Sequence, residues 1–179
     1  MTSIRLACVV LPLLAFGCSN APVNPAATSA EQEEVDEDDE DLSREPRTAE
    51  DYVERGDAYV KKKEYGRALV DYEQGIRLGP EDADAHYSLA WLLATCPKDD
   101  VRDGKRALAL ATRACELSQW QDADHLGALA AAHAECGNFA EAVKWQKKAI
   151  KVGFDNDEAR EAGRKQLRLY EQGKPYRDD

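Results

Sequence analysis

The chain has 179 residues and a formal net charge of −11, concentrated in one stretch: residues 18–48 hold 10 acids against two arginines, whereas residues 49–179 hold 25 acids against 21 lysines and arginines. The larger part is therefore nearly balanced, with no basic stripe to release counterions from phosphates, and nucleic acid is excluded as an expected partner. About 131 residues beyond the acidic stretch suffice for one domain.

The first element is apolar. Leu6 to Phe16 is a run of eleven residues, where a helix needs about 20 to cross a bilayer. It follows Arg5 and ends in the small residues Gly17 and Cys18, the pattern of a secretory signal, assigned here to residues 1–17. The stretch "LAFGC" resembles the lipobox of bacterial lipoproteins. That resemblance implies cleavage before Cys18, covalent lipid on Cys18 as the sole attached group, and, with Ser19 next, the outer membrane, on its periplasmic side or at the cell surface. A signal cut elsewhere, with Cys18 free or lost, is the alternative.

Residues 18–48 are expected to form a tether. Pro22, Pro25 and Pro46 interrupt it, aromatic residues are missing, and "EQEEVDEDDED" carries nine acids and no base. Such a segment buries too little apolar surface to offset chain entropy, and its like charges repel. Its maximum reach is on the order of 100 Å. It serves as a solvated spacer or, alternatively, as bait for a basic partner.

Residues 49–82 read "AEDYVERGDAYVKKKEYGRALVDYEQGIRLGPED". Tyr52, Gly56, Tyr59, Ala68, Tyr72 and Pro80 fall at the spacings of the 34-residue tetratricopeptide signature, with Arg55 where a leucine is usual. This segment resembles a tetratricopeptide repeat, in which small residues let two antiparallel helices approach and the closing proline stops the second. "KKKEY" is expected at a helix end, where cations suit the dipole.

The same grammar continues through residues 83–121, where His86, Leu89, Ala90 and Leu93 are followed by Ala107 and Ala111. Five extra residues enlarge the turn at "CPKDDVRDG", with Pro97 closing one helix and Asp103 placed to cap the next. Residues 122–155 restore ordinary spacing through Leu126, Leu129, Ala130, His133, Ala142 and Ala149. Residues 156–179 predict a polar capping helix and tail, with Asn156 or Asp157 as N-cap and Gly173 as stop. The expected fold is all-α: a right-handed solenoid of three helix pairs plus a capping helix, seven helices and no sheet.

Chemistry finds little support. His133 and Cys136 lie three apart on one predicted helix, but no second pair has ligand spacing and His133 occupies a packing slot, so no metal is expected. There is no strained nucleophile elbow and no phosphate loop, so neither enzymatic activity nor a small-molecule substrate is expected. Cys96, Cys115 and Cys136 are expected as buried thiols.

What remains is recognition. The tetratricopeptide resemblance implies a concave groove lined by first helices: Glu50, Val53, Asp57 and Val60, then Asp84, Tyr87, Trp91 and Ala94, then Gly127, Ala131 and Ala134. Such a groove takes an apolar or basic peptide or helix. The lysine and asparagine clamp of chaperone-binding members is missing, since Val53 and Asp57 stand where it would begin. The expected function is a membrane-tethered adaptor that binds a protein of the cell envelope. The alternative is a self-associating or spacer module, favoured by a groove that is self-covered.

Overall fold

The computed structural model describes residues 45–178. The expected signal, Cys18 and nearly all of the tether lie outside the described residues. Among those described there are seven helices and no strand: α1 Ala49–Lys61, α2 Tyr65–Leu78, α3 Ala83–Thr95, α4 Gly104–Leu117, α5 Ala123–Glu135, α6 Phe139–Val152 and α7 Asp157–Glu171. The expected solenoid of three helix pairs and a capping helix is what forms.

Local chemistry sets most of the starts. Thr48 caps α1 through a reciprocal box with Asp51. The side chains of Asp82, Asp103, Asp122 and Asn156 accept from first-turn amides of α3, α4, α5 and α7. Each such cap contributes about 1 kcal/mol by satisfying a donor that has no partner within the helix. The helices of each pair then pack against each other, and successive pairs stack along the chain.

The contact surfaces are built from small side chains. Ala68, Ala85, Ala90, Ala107, Ala111, Ala114, Ala128, Ala130, Ala132, Ala142 and Ala149 are all fully buried, joined by Leu89, Leu93 and Leu126. Gly56 shows how tight the fit is. A Cβ there would stand 2.5 Å from the Tyr72 ring, a separation side-chain carbons do not adopt, so α1 meets α2 only because residue 56 has no side chain. Gly163 does the same between α7 and the Phe154 ring, which a Cβ would approach to 2.7 Å.

Arg55, which occupies the leucine slot of the repeat, has a structural reason. Its guanidinium makes a bidentate contact with Asp71 of α2, at 2.7 and 2.8 Å, and lies against the rings of Tyr52 and Tyr59. Asp71 is buried at 3% exposure, so its charge requires that partner. Trp120 and Trp145 stack at 5.2 Å with Lys148 over both rings, which joins the α4–α5 turn to α6. They serve as anchors between helices.

The enlarged turn is anchored at both ends. The Asp103 amide donates to the Leu93 carbonyl at 3.0 Å, and Arg102 donates to the Cys96 carbonyl at 2.8 Å while pairing with Asp99 and with Glu135 of α5. Cys96, Cys115 and Cys136 are unbridged thiols, the first two buried and the third half-buried. Burial pushes all three upward, Cys115 to about 12. Asn156 is the N-cap of α7, and Gln172 and Gly173 end it.

Removing one member of a buried pair leaves the other uncompensated, whereas replacing both by apolar groups can be neutral. Asp71→Ala is therefore expected to cost about 3 kcal/mol in urea denaturation. The double variant Arg55→Leu, Asp71→Leu is expected to recover most of that loss. A double variant no better than the single would contradict this role.

Candidate interaction groove

The first helices of the three pairs, α1, α3 and α5, do not pack evenly. α3 lies along α5 for much of its length, while α1 meets α3 at few positions. The gap between α1 and α3 is a cleft of about 480 Å³. Asp57, Val60 and Lys61 line its α1 side, Tyr65 and Tyr72 of α2 its floor, and Tyr87, Trp91 and Thr95 its α3 side, with Cys96 and Pro97 at one end.

Of the residues expected to form a groove, four line this cleft: Asp57, Val60, Tyr87 and Trp91. Val53 does not. Its methyl lies 3.2 Å from the Cβ position of Gly75, between the helices of the first pair. Glu50 is exposed in the first turn of α1 and lines no part of the cleft. Asp84 is exposed and meets His125 Nε2 at 3.1 Å, bridging α3 to α5. Ala131 is buried at 3% exposure, and Ala94, Gly127 and Ala134 are buried as well, so none of the four presents an open surface.

Two interactions shape the cleft wall. The Tyr72 hydroxyl donates to Asp57 Oδ1 at 2.6 Å. Much of the Asp57 side chain is open, but its surroundings are buried enough to lift the carboxyl above its ordinary range, and the Tyr72 hydroxyl pulls it part of the way back. The second is an aromatic row. Tyr87 lies 6.3 Å from Trp91 and 5.4 Å from the His125 ring, so one face of α3 carries a continuous π surface toward α5.

The row continues into a segment outside the helices. After α7 the chain turns back and crosses α5 to reach α3. The Tyr176 ring lies 5.9 Å from Trp91 and packs near Ala130, Ala134 and Tyr170. Arg177 pairs with Glu135 Oε2 at 2.7 Å, while Glu135 Oε1 holds Arg102 of the enlarged turn. The Asp178 amide donates to the Thr95 carbonyl at 3.0 Å, and its carboxylate accepts the Trp91 indole N–H at 2.9 Å. Asp178 also lines the cleft, so this return segment reaches its mouth.

Sequence reasoning missed this segment and the tyrosine floor. Tyr65 and Tyr72 belong to a second helix, which the groove convention leaves out, and "KPYRDD" has no periodicity to place it. A proline, an aromatic and an arginine just after a helix stop are the one local signal that it packs. Among the described residues no group of three or more His, Cys, Asp and Glu is placed to hold a metal. His133 is half-buried and lowered by that burial.

Residues 56–94 match the family model described as TPR repeat, which supports a place for the chain in the tetratricopeptide family. The match takes in the second half of α1, all of α2 and nearly all of α3, and with them Asp57, Tyr72, Tyr87 and Trp91 of the cleft. No curated protein matches the chain. Tetratricopeptide repeats generally mediate protein–protein interactions and are typically non-enzymatic.

The Asp57–Tyr72 contact predicts a pH dependence. A carboxyl raised above its unfolded value of about 3.9 is held protonated more tightly by the folded chain, so its ionisation costs stability as pH rises through that window. The Tyr72 hydroxyl offsets part of that cost, since it bonds the charged form. Tyr72→Phe is therefore expected to lose about 1–2 kcal/mol at pH 7. Urea melts should show that loss shrinking as pH falls through the Asp57 titration. An equal loss at every pH would contradict it.

Proposed function

We propose that this protein is a non-enzymatic interaction scaffold whose first-helix face binds an extended segment of a protein partner. The observation that carries this reading is the cleft between α1 and α3, lined by Tyr65, Tyr72, Tyr87 and Trp91, with the Asp57 carboxylate on its α1 side. Aromatic walls with a few placed polar groups are what a peptide groove needs, because rings supply contact area at low entropic cost while polar groups set register. Asp57 on the cleft wall favours a ligand with basic and apolar residues. Lys61 and Lys63 at the rim leave room for an acid at its end.

In this proposal the scaffold stands at a membrane. Cys18 carries lipid, the acidic stretch 18–48 spaces the repeats from the bilayer, and the partner is a component of a bacterial cell envelope. The "LAFGC" motif and the composition of the stretch support this. No helix among the described residues is long and apolar enough to cross a membrane.

A second reading, a structural or self-associating module, is favoured by one observation: the return segment covers Trp91 and part of the face beside it. The two are separated by photo-crosslinking in cells. A reactive analogue at Val60, on the cleft wall away from the return segment, is compared with the same protein carrying Cys18→Ala. One dominant partner, weakened by Cys18→Ala, is the expected result. Self-adducts alone, with mass rising with protein concentration, would replace the scaffold by the structural module.

A further inference from the structure

We propose that residues 174–178 are a built-in occupant of the first-helix groove, which a partner must displace, and which shows the ligand the groove prefers: an extended segment with an aromatic, a cation and an acid in succession. The inference rests on the scaffold reading above and names the ligand class of that same face.

The return segment packs Tyr176 beside Ala130, Ala134 and Tyr170 and adds polar contacts of the kind a bound peptide makes. Tyr176 offers its ring to Trp91, Arg177 its cation to Glu135, and Asp178 its carboxylate to the Trp91 indole. One main-chain bond, from the Asp178 amide to the Thr95 carbonyl, sets the direction. Every one of these partners lies on α3 or α5, first helices of their pairs. The solenoid end is closed by α7 through Gly163, Gln166 and Tyr170, so lifting the segment leaves the helix pairs stacked and uncovers only the side of Ala130, Ala134 and Tyr170 that Tyr176 covers. Lys174 and Asp178 are exposed, and Tyr176 and Arg177 are half-buried.

The groove extends beyond the part that residues 174–178 fill. Asp178 stands at the mouth of the 480 Å³ cleft, which continues toward α1. A partner that reproduced the aromatic–cation–acid contacts and continued into the cleft would hold all that the return segment holds, with the tyrosine wall in addition. The segment follows α7 directly, so it competes at the high effective concentration of a short tether, on the order of millimolar. A groove closed most of the time lowers the apparent affinity of any ligand by the fraction that is open. Glu135 couples this to the enlarged turn, because the same carboxylate holds Arg102 and Arg177.

The test uses the full chain and a fluorescent synthetic peptide with the sequence of residues 172–179, followed by anisotropy. The native chain is compared with the variant Tyr176→Ala, Arg177→Ala, whose thermal melt checks that the helices persist, and with the milder Arg177→Ala alone. The peptide is expected to bind the double variant at least tenfold tighter than the native chain, the single variant to fall between, and Trp91→Phe added to the double variant to weaken binding. Equal binding to native and variant chains, or binding to neither, would overturn the proposal. Failure of the scaffold reading is distinct: it would appear as peptide binding that follows the expected order while crosslinking at Val60 captures no partner in either form. A partner captured equally by native and variant chains would keep the scaffold and discard the built-in occupant.

Discussion

The structure depends on close approach of helix backbones at alanine and glycine. Where facing positions carry no more than a methyl group, two helices can bring their backbones near, and the larger side chains fill the spaces beside the contact. The fully buried alanines run through all three pairs, and Gly56 and Gly163 mark the places where even a methyl would collide with a ring. Because each pair covers only one side of the next, the stack needs an end, and α7 supplies it with a polar outer face over Gln146, Phe154 and Tyr170.

The same constraint produces the cleft. Between α3 and α5 the helices lie together, with Tyr87 and Asp84 both meeting His125 across the contact. Between α1 and α3 stand Tyr65, Tyr72 and Tyr87, too large for that approach, and the first helices separate around them. The charged groups then divide by task. Arg55 and Asp71 substitute for an apolar contact inside the first pair, Asp57 stands on the open cleft wall, where charge can select a ligand, and Glu135 is held between Arg102 and Arg177. Glu135 is the point at which the enlarged turn, the third first helix and the return segment meet.

Most of the fold was legible because its determinants are local and repeated. The spacings from Tyr52 to Pro80 within a 34-residue unit, Asp103 and Asn156 as helix caps and the count of extra residues after Leu93 each depend on neighbours in the chain. Of the four α1 residues expected on the groove, Asp57 and Val60 line the cleft, whereas Glu50 and Val53 do not. What could not be read is tertiary. Val53 has the spacing of a groove residue but turns into the first pair. The charge at Arg55 hinted at a partner without naming Asp71, sixteen positions away. Ala131 and Ala134 have the spacing of groove residues, but neighbouring helices and rings cover them. Nothing in the residues after α7 announces that they cross back to α3, because that path is set by Trp91 and Glu135, more than forty positions upstream.

The central claim is that the face of α3 and α5 holds extended chain by main-chain and side-chain recognition together. Hydrogen exchange of the Asp178 amide in the native protein tests it most directly. Donation to the Thr95 carbonyl predicts exchange slowed well below that of an unstructured amide, with the protection lost when Glu135→Gln loosens Arg177. Exchange at the unstructured rate in the native protein, unchanged by Glu135→Gln, would contradict the account and leave the groove without its template.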